Sequence, residues 1–439
     1  MKKRPTRLAL VSIACLSLAC GSHESARGSG ASAGSGLGGS GAATSGQSGT
    51  AGSPAATGGS STSVAGSDSG GSVAGGGRAG TGGVNSAGGS GGGAAGSGGG
   101  PPSCQSSGNG ISDCGPNGES CCASPKVPGG TFNRTYANAG SGGVTTADPA
   151  TISDFRLDKY LVTVARFRKF VTAWDGGSGY TPDAGSGKHV HLNGGRGLAD
   201  SGAAGSYESG WLDSYSNKLD LTNDTLDCAS AKATWTASTG ENEKLPMNCI
   251  NWFEAYAFCI WDGAFLASEA EYVYAAAGGN EQRRFPWGAT SPGKDNQYAI
   301  WGCNYPDGSG TCDGTLRNIA PVGTAKAGAG KWGQLDLVGN MIEWYLDYYA
   351  ASYVSPCTDC ANLHSGSGRA PRDGYYGSTD ETLLQSSYRN VNPLQARVKR
   401  GRGFRACWGY GEERKFGSAI AEAKAAATKR MGRGDSELS

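Results

Sequence analysis

The sequence predicts a loop-rich α+β domain with little regular structure, standing behind a long stretch that cannot fold. Three observations carry this. The chain holds 77 glycines, most of them crowded into its first quarter. Beyond that quarter, three segments show helical apolar spacing with capping residues at their starts. Between them lie long Gly, Asp, Ser and Asn segments, notably 175 to 244, with only short strand-like pieces such as Phe155-Arg-Leu157. By length alone 439 residues suggest two or three domains, but removing the glycine-rich quarter leaves one folded domain of about 330 residues. A formal net charge of +1 with 17% charged residues argues against an electrostatic grip on nucleic acid or on an anionic membrane.

Met1-Lys-Lys-Arg-Pro-Thr-Arg7 and the apolar run from Leu8 to Ala19 form the basic region and short hydrophobic region of a secretory signal. The run is too short for a permanent transmembrane helix. Leu16-Ser-Leu-Ala-Cys20 resembles a bacterial lipobox, although its preferred leucine sits one place early. Residues 1–20 are therefore expected to be a signal peptide with Cys20 lipidated, with ordinary secretion as the other outcome. This places the chain at the outer membrane or cell surface, or in the periplasm. Residues 21–103 are almost wholly Gly, Ser, Ala and Thr, which cannot bury enough apolar surface to offset chain entropy. Such a tether of about 80 residues reaches roughly 50 Å.

A cysteine-rich lead-in follows over 104–126, with Cys104, Cys114, Cys121 and Cys122 among small polar residues. Setting aside Cys15 and Cys20, the 14 cysteines leave twelve in the exported part. That even number in an exported chain reads as a disulfide set. Cys303 and Cys312 flank a turn-rich loop and can staple it, and Cys357-Thr-Asp-Cys360 reads as a disulfide rather than half of a zinc site, because no second such pair accompanies it.

The helices are justified by their caps. Thr163 can start a helix that places Phe167, Phe170, Val171 and Trp174 on one face. Asn251 three before Glu254, and Ser268 three before Glu271, are capping-box pairs. The second helix then lines up Trp252, Ala255, Tyr256, Cys259 and Ile260 and ends at Gly263. The third turns Tyr272, Ala275 and Ala276 inward and stops at Gly278-Gly279. Glu269 and Glu271 lie in a helical first turn, where dipole and capping explain them. His189-Val-His191, flanked by Gly and Asn, reads as a surface loop more readily than as a pair of metal ligands.

Leu335-Asp-Leu-Val-Gly-Asn-Met-Ile-Glu-Trp344 is the stretch with most chemical content. Asp336 and Glu343 bracket a Gly-Asn turn, and oxygen ligands around a Gly-permitted bend suit a hard cation such as Ca²⁺. The competing reading is a buried turn in which Glu343 caps or pairs locally. No Gly-x-Ser-x-Gly elbow, HExxH or phosphate-cradling GxxxxGK occurs.

Four ordered blocks over about 126–350 resemble the formylglycine-generating-enzyme, or sulfatase-modifying-factor, family. Val127-Pro-Gly-Gly-Thr-Phe132 is similar to its opening "IPGGTF", and Asp158-Lys-Tyr-Leu-Val-Thr163 with Phe167, Phe170 and Val171 to "kyeVTn..F..Fv". Asn251-Trp252 with Ala255, Tyr256, Cys259 and Trp261, then Leu266-Ala-Ser-Glu-Ala-Glu-Tyr272 up to Phe285-Pro-Trp-Gly288, resembles "W.dA..Yc.W...LPTEAEW". The stretch 335–344 resembles "GN.WEW". The resemblance implies an irregular α+β fold related to C-type lectins over 127–439. It also implies calcium on the side chains of Asp336 and Glu343 and the carbonyls of Gly339 and Met341.

In the family's oxidases, the resemblance implies a copper- and O₂-dependent conversion of a cysteine in a sulfatase C-x-P-x-R segment to formylglycine. Two cysteines five positions apart, after an "RGGSW"-like block, hold copper and substrate, as soft thiolates suit Cu(I). Here Val398-Lys-Arg-Gly-Arg-Gly-Phe404 stands for that block and Cys407 follows, but the position five later is Glu412 and no further cysteine occurs. The related ergothioneine-type sulfoxide synthases use three histidines on iron, and beyond the linker only His364 accompanies the 189/191 pair. The end is atypical from about residue 403: residues 415–439 stand in place of the terminal block that the resemblance implies, either because this member has diverged there or because the reading frame shifts near Gly403. The sequence is thus expected to be an exported, lipid-anchored domain that binds an envelope or cell-surface ligand. A copper oxidase acting on a sulfatase polypeptide and a structural envelope protein are the alternatives.

Overall fold

The computed structural model describes residues 100–139, 145–364, 366, 368–372, 374–389, 402–403 and 406–409, the last two stretches as backbone. The signal segment with Cys20, the linker up to residue 99, the tail 415–439 and most of 398–404 lie outside the described residues.

In chain order the elements are β1 (Lys126–Val127), β2 (Gly130–Ala137), β3 (Thr145–Ile152), β4 (Phe155–Leu157), α1 (Val164–Trp174), β5 (Ala199–Asp200), α2 (Asp213–Ser216), α3 (Asn223–Asp227), α4 (Trp252–Trp261), β6 (Phe265–Leu266), α5 (Glu269–Ala277), β7 (Ile342–Tyr348), β8 (Cys357–Thr358), β9 (Cys360–Ala361), β10 (Arg369–Arg372), β11 (Arg402–Gly403) and β12 (Ala406–Gly409). They form four small sheets, ordered β1-β4-β12-β6, β10-β7-β11, β2-β3-β8 and β5-β9. The architecture is the mixed, loop-rich one expected.

Each predicted helix starts at its cap. The Thr163 hydroxyl accepts the Arg166 N–H at 3.2 Å, and both halves of the capping boxes at Asn251/Glu254 and Ser268/Glu271 are present. Gly278, at φ 67°, ends α5 in the left-handed conformation that suits glycine. α1 departs from a purely apolar inner face, because Arg166 is also inside. Its Nη1 donates to Asp158 and its Nη2 to Asp262, each at 2.8 Å, and its Nε to the Ser103 hydroxyl at 3.0 Å. Two carboxylates and a hydroxyl are what allow a guanidinium to be fully buried.

α1 and α4 pack in one core with Trp211, Trp252 and Trp344. The Trp252 indole donates to the Tyr345 carbonyl at 2.9 Å and the Trp344 indole to the Ile250 carbonyl at 3.2 Å. These reciprocal bonds join the start of α4 to β7. Each such ring contributes roughly 4–6 kcal/mol of burial. A second core lies between β2, β3 and α5, with Phe132, Tyr136, Ile152, Tyr272 and Tyr274. The segment 175–244 is less bare than expected, since it carries β5, α2 and α3 and anchors Trp211, Leu219, Leu221, Leu226 and Trp235 in the main core. Those anchors hold single turns, so they leave no periodic trace in the sequence.

Five disulfides staple the loops: Cys104–Cys122, Cys114–Cys121, Cys228–Cys249, Cys303–Cys312 and Cys357–Cys360. The expected local staples at 303/312 and 357/360 are among them. Reading all twelve cysteines as one disulfide set needs correction, because Cys259 is a free thiol buried in α4. There it packs as a small apolar residue.

Candidate functional site

The turn before β7 is held by the protein itself. Asp336, Gly339 and Asn340 all have positive φ, at 54°, 84° and 58°, so three of five consecutive residues take the left-handed backbone of a tight turn. Asp336 Oδ2 accepts the Gly323 N–H at 2.6 Å. The Asn340 side chain accepts the Ala320 N–H at 3.2 Å and donates to the Ala320 carbonyl at 3.0 Å. The Gly339 carbonyl accepts the Met341 N–H at 2.7 Å, and Glu343 sits in the middle of the β10-β7-β11 sheet opposite Arg372 and Gly403. Asp336 and Glu343 are both buried. Two of the expected calcium donors, the Asp336 carboxylate and the Gly339 carbonyl, are thus engaged in closing the turn. Among the described residues no group of three or more His, Cys, Asp or Glu is placed to hold a metal ion. The structure lends the calcium expectation no support.

Cys407 lies on β12, its backbone paired with Leu157 of β4 and Phe265 of β6. Ten of the other cysteines from Cys104 onward are in disulfides. The remaining one, Cys259, is buried, and burial followed by the charges of Asp158 and Asp262 pushes its thiol well above the ordinary range. A buried, protonated thiol is a poor metal ligand. Among the described residues the donor set does not fit a two-thiolate copper site.

The richest chemistry is a cleft of about 210 Å³ that the sequence did not single out. α5 supplies Glu269, β7 supplies Asp347, β2 supplies Arg134, and the segment after β7 supplies Tyr353, with Arg389 closing one wall. Glu269 takes the Arg389 guanidinium on both oxygens, at 2.6 and 2.9 Å, and pairs with Arg372 at 3.0 Å. Burial pushes its carboxyl up, but the two arginines outweigh this and hold it below the usual carboxylate range. Asp347 spends its oxygens on backbone, accepting the Glu269 N–H at 2.7 Å and the Asn362 N–H at 2.9 Å. Burial and the neighbouring Glu269 charge push its carboxyl up to about 7. Two carboxyl groups side by side, one firmly ionised and one poised near neutrality, are what environment-split acids look like. A signal for Arg134 was present, since the alternation of β2 puts it on the same face as Phe132 and Tyr136. The convergence of five distant segments was not readable.

His189 is fully buried and charged, not on the surface loop expected. Its Nδ1 meets Glu208 Oε2 at 3.0 Å and its Nε2 meets Glu271 Oε2 at 3.2 Å. Burial alone would lower its pKa, but the two carboxylates outweigh that and hold it at about 10. His191 lies beside it, the ring centroids 6.2 Å apart. The pair of carboxylates makes His189 a clamp between the 183–211 loop and the start of α5. Glu271 therefore does more than cap its helix, and Glu269 more than face a dipole.

Comparison with known proteins bears on these sites. The family described as "Sulfatase-modifying factor enzyme 1-like domain" matches residues 113–410. A formylglycine-generating enzyme of Streptomyces coelicolor is 29% identical over 289 residues, covering 62% of this chain and 82% of that protein. One of Thermomonospora curvata is 29% identical over 293 residues, covering 62% and 86%. A Bos taurus protein named "Inactive C-alpha-formylglycine-generating enzyme 2" is 34% identical over 116 residues, covering 26% of this chain and 37% of that protein.

Proposed function

Because the chain belongs to the sulfatase-modifying factor enzyme 1-like family, we propose that it is a member that uses the family fold to bind a ligand rather than to oxidise a cysteine. In this reading the domain is exported, anchored through a lipid on Cys20, and carried at the outer membrane or cell surface on the glycine-rich tether that begins at residue 21. The tether's expected end at 103 is drawn into the fold, where Ser103 is buried and bonded to Asp262 and Arg166. The observation that carries it is the thiol inventory. A Cu(I)-held thiol reaction needs paired sulfurs, and Cys407 has Glu412 where the partner would stand. Cys259, the one described free thiol, is sealed in α4. The family also includes a relative named as inactive, so the fold persists without the reaction.

A second reading is favoured by the extent of the likeness to proteins named formylglycine-generating enzyme, 82% and 86% of their lengths. It makes this chain an oxidase acting on a sulfatase polypeptide. Incubating the full chain with Cu(I), O₂ and a C-x-P-x-R peptide separates the two by mass spectrometry. The binding reading expects the peptide thiol to survive, and aldehyde formation would sink it. Retention on glycan or peptidoglycan then distinguishes ligand binding from a purely structural envelope role. For the anchor, Cys20→Ser is expected to move the protein from the membrane fraction to the soluble one.

A further inference from the structure

We propose that the cleft between α5, β7 and the 350–364 segment binds a small oxyanion, with Arg134 as its cationic partner. This deepens the binding reading and rests on it. Other arginines drawn into the molecule have charged or aromatic partners. Arg166 faces two carboxylates. Arg372 and Arg389 share Glu269. Arg369 is sandwiched between the Trp252 and Tyr348 rings, 3.5 and 3.6 Å from their centroids.

Arg134 is as deeply placed, 4% exposed, and like Arg369 it meets an aromatic ring, but among the described residues it has no ion pair. Its Nη2 donates to the Val354 carbonyl at 2.6 Å and the Ser355 hydroxyl at 3.2 Å, and its Nε to the Asp148 carbonyl at 3.4 Å. Its Nη1 meets only the Cys360 sulfur, at 4.0 Å. The Tyr353 ring lies under it at 4.4 Å. Five N–H donors thus meet four neutral acceptors, one of them a distant sulfur. Among the described residues no carboxylate is within ion-pair distance of it. A buried cation is normally paired, because leaving it unpaired costs several kcal/mol.

The carboxylates of Asp347, Asp148 and Glu269 act on Arg134 from beyond contact distance. That of Asp148 reaches it only through the Ser355 hydroxyl, and Glu269 is already shared by two arginines. Asp347, with both oxygens on backbone N–H groups, is half neutral near pH 7. A buried guanidinium that no carboxylate touches, at the wall of a cleft, favours an anion there. The rim offers Ser201, Asn362 and the exposed His364 as polar contacts. At about 210 Å³ the space is smaller than drug-sized sites, so the ligand is a carboxylate- or sulfate-like group with little body. The guanidinium fork suits either geometry.

Asp347 also sets the pH dependence. Glu269 of α5, Arg134 of β2, Arg369 of β10, Arg389 and, at the rim, His364 surround it. When Asp347 ionises, its charge opposes the anion, so affinity falls as pH rises through 7. Isothermal titration of the full chain with sodium acetate and, separately, sodium sulfate tests this, since neither probe changes charge between pH 6 and 8. One saturable site per chain is expected for at least one probe. Affinity should be about tenfold weaker at pH 8 than at pH 6, and about tenfold weaker in Arg134→Lys. Asp347→Asn should flatten the pH dependence, whereas His364→Gln should keep it. If Arg134→Lys fails to fold, Asp347→Asn alone decides. The proposal is overturned if neither probe saturates, if binding is indifferent to both variants, or if His364→Gln rather than Asp347→Asn removes the pH dependence. The peptide-oxidation assay does not involve this cleft, so the two readings fail separately.

Discussion

His189 shows what one side chain contributes. Its pKa is raised from 6.5 to about 10 by Glu208 and Glu271, so its stabilisation is whole below pH 6.5 and drains as pH climbs through 10. Glu271 has the opposite sign. Burial pushes it up but His189 and Ser268 outweigh this and hold it low, so its share is lost only as pH falls through its depressed folded value. Breaking such a buried pair costs about 3–5 kcal/mol. His189→Gln should therefore melt earlier at pH 7, and its melting temperature should change less between pH 7 and 10 than the parent's. Parallel curves would contradict the assignment. At the Asp336–Glu343 turn, where Gly323 and Met341 already supply the closing hydrogen bonds, EDTA is expected to leave the melting temperature unchanged. A rise of several degrees with calcium, lost in Glu343→Gln, would restore the ion. Neither result was legible in the sequence. His189 finds its carboxylates 19 and 82 residues away, and a loop with Gly on both sides shows no period that betrays burial.

Elements were legible in proportion to how local their causes are. The starts of α1, α4 and α5 are fixed by bonds spanning three residues, and caps of that kind can be read directly. Ser268→Ala should cost about 1–2 kcal/mol in urea unfolding, since its hydroxyl both caps Glu271 and meets that carboxylate at 2.9 Å. A loss within error would contradict the cap's role, and Ser268→Thr should recover most of it. Strands were mostly illegible, because β1, β5, β6, β8, β9 and β11 are two residues long, too short for alternation. The strand-like Phe155-Arg-Leu157 was read and is β4, and the longer β2 carries in its alternation a clue to Arg134. The cleft stayed hidden because α5, β7, β2 and the wall at Arg389 meet only in the folded chain.

At the scale of the whole molecule, the proposed binding role separates the family frame from the reaction of the relatives named formylglycine-generating enzyme. Trp252, Trp344 and the capping boxes build the frame, while among the described cysteines ten are staples and Cys259 is sealed in a helix, leaving Cys407 on β12. Under the proposed reading frame and reaction are separable, because the frame rests on two packed cores and the oxidase chemistry that the resemblance implies would rest on paired sulfurs, of which this chain offers Cys407 alone near its end. The most direct test is an anaerobic Cu(I) titration of the full chain against a competing chelator, with thiol alkylation read by mass spectrometry before and after. The chelator should keep the copper, and Cys259 should alkylate only after unfolding. One copper retained per chain, with two cysteines protected by it, would contradict the account.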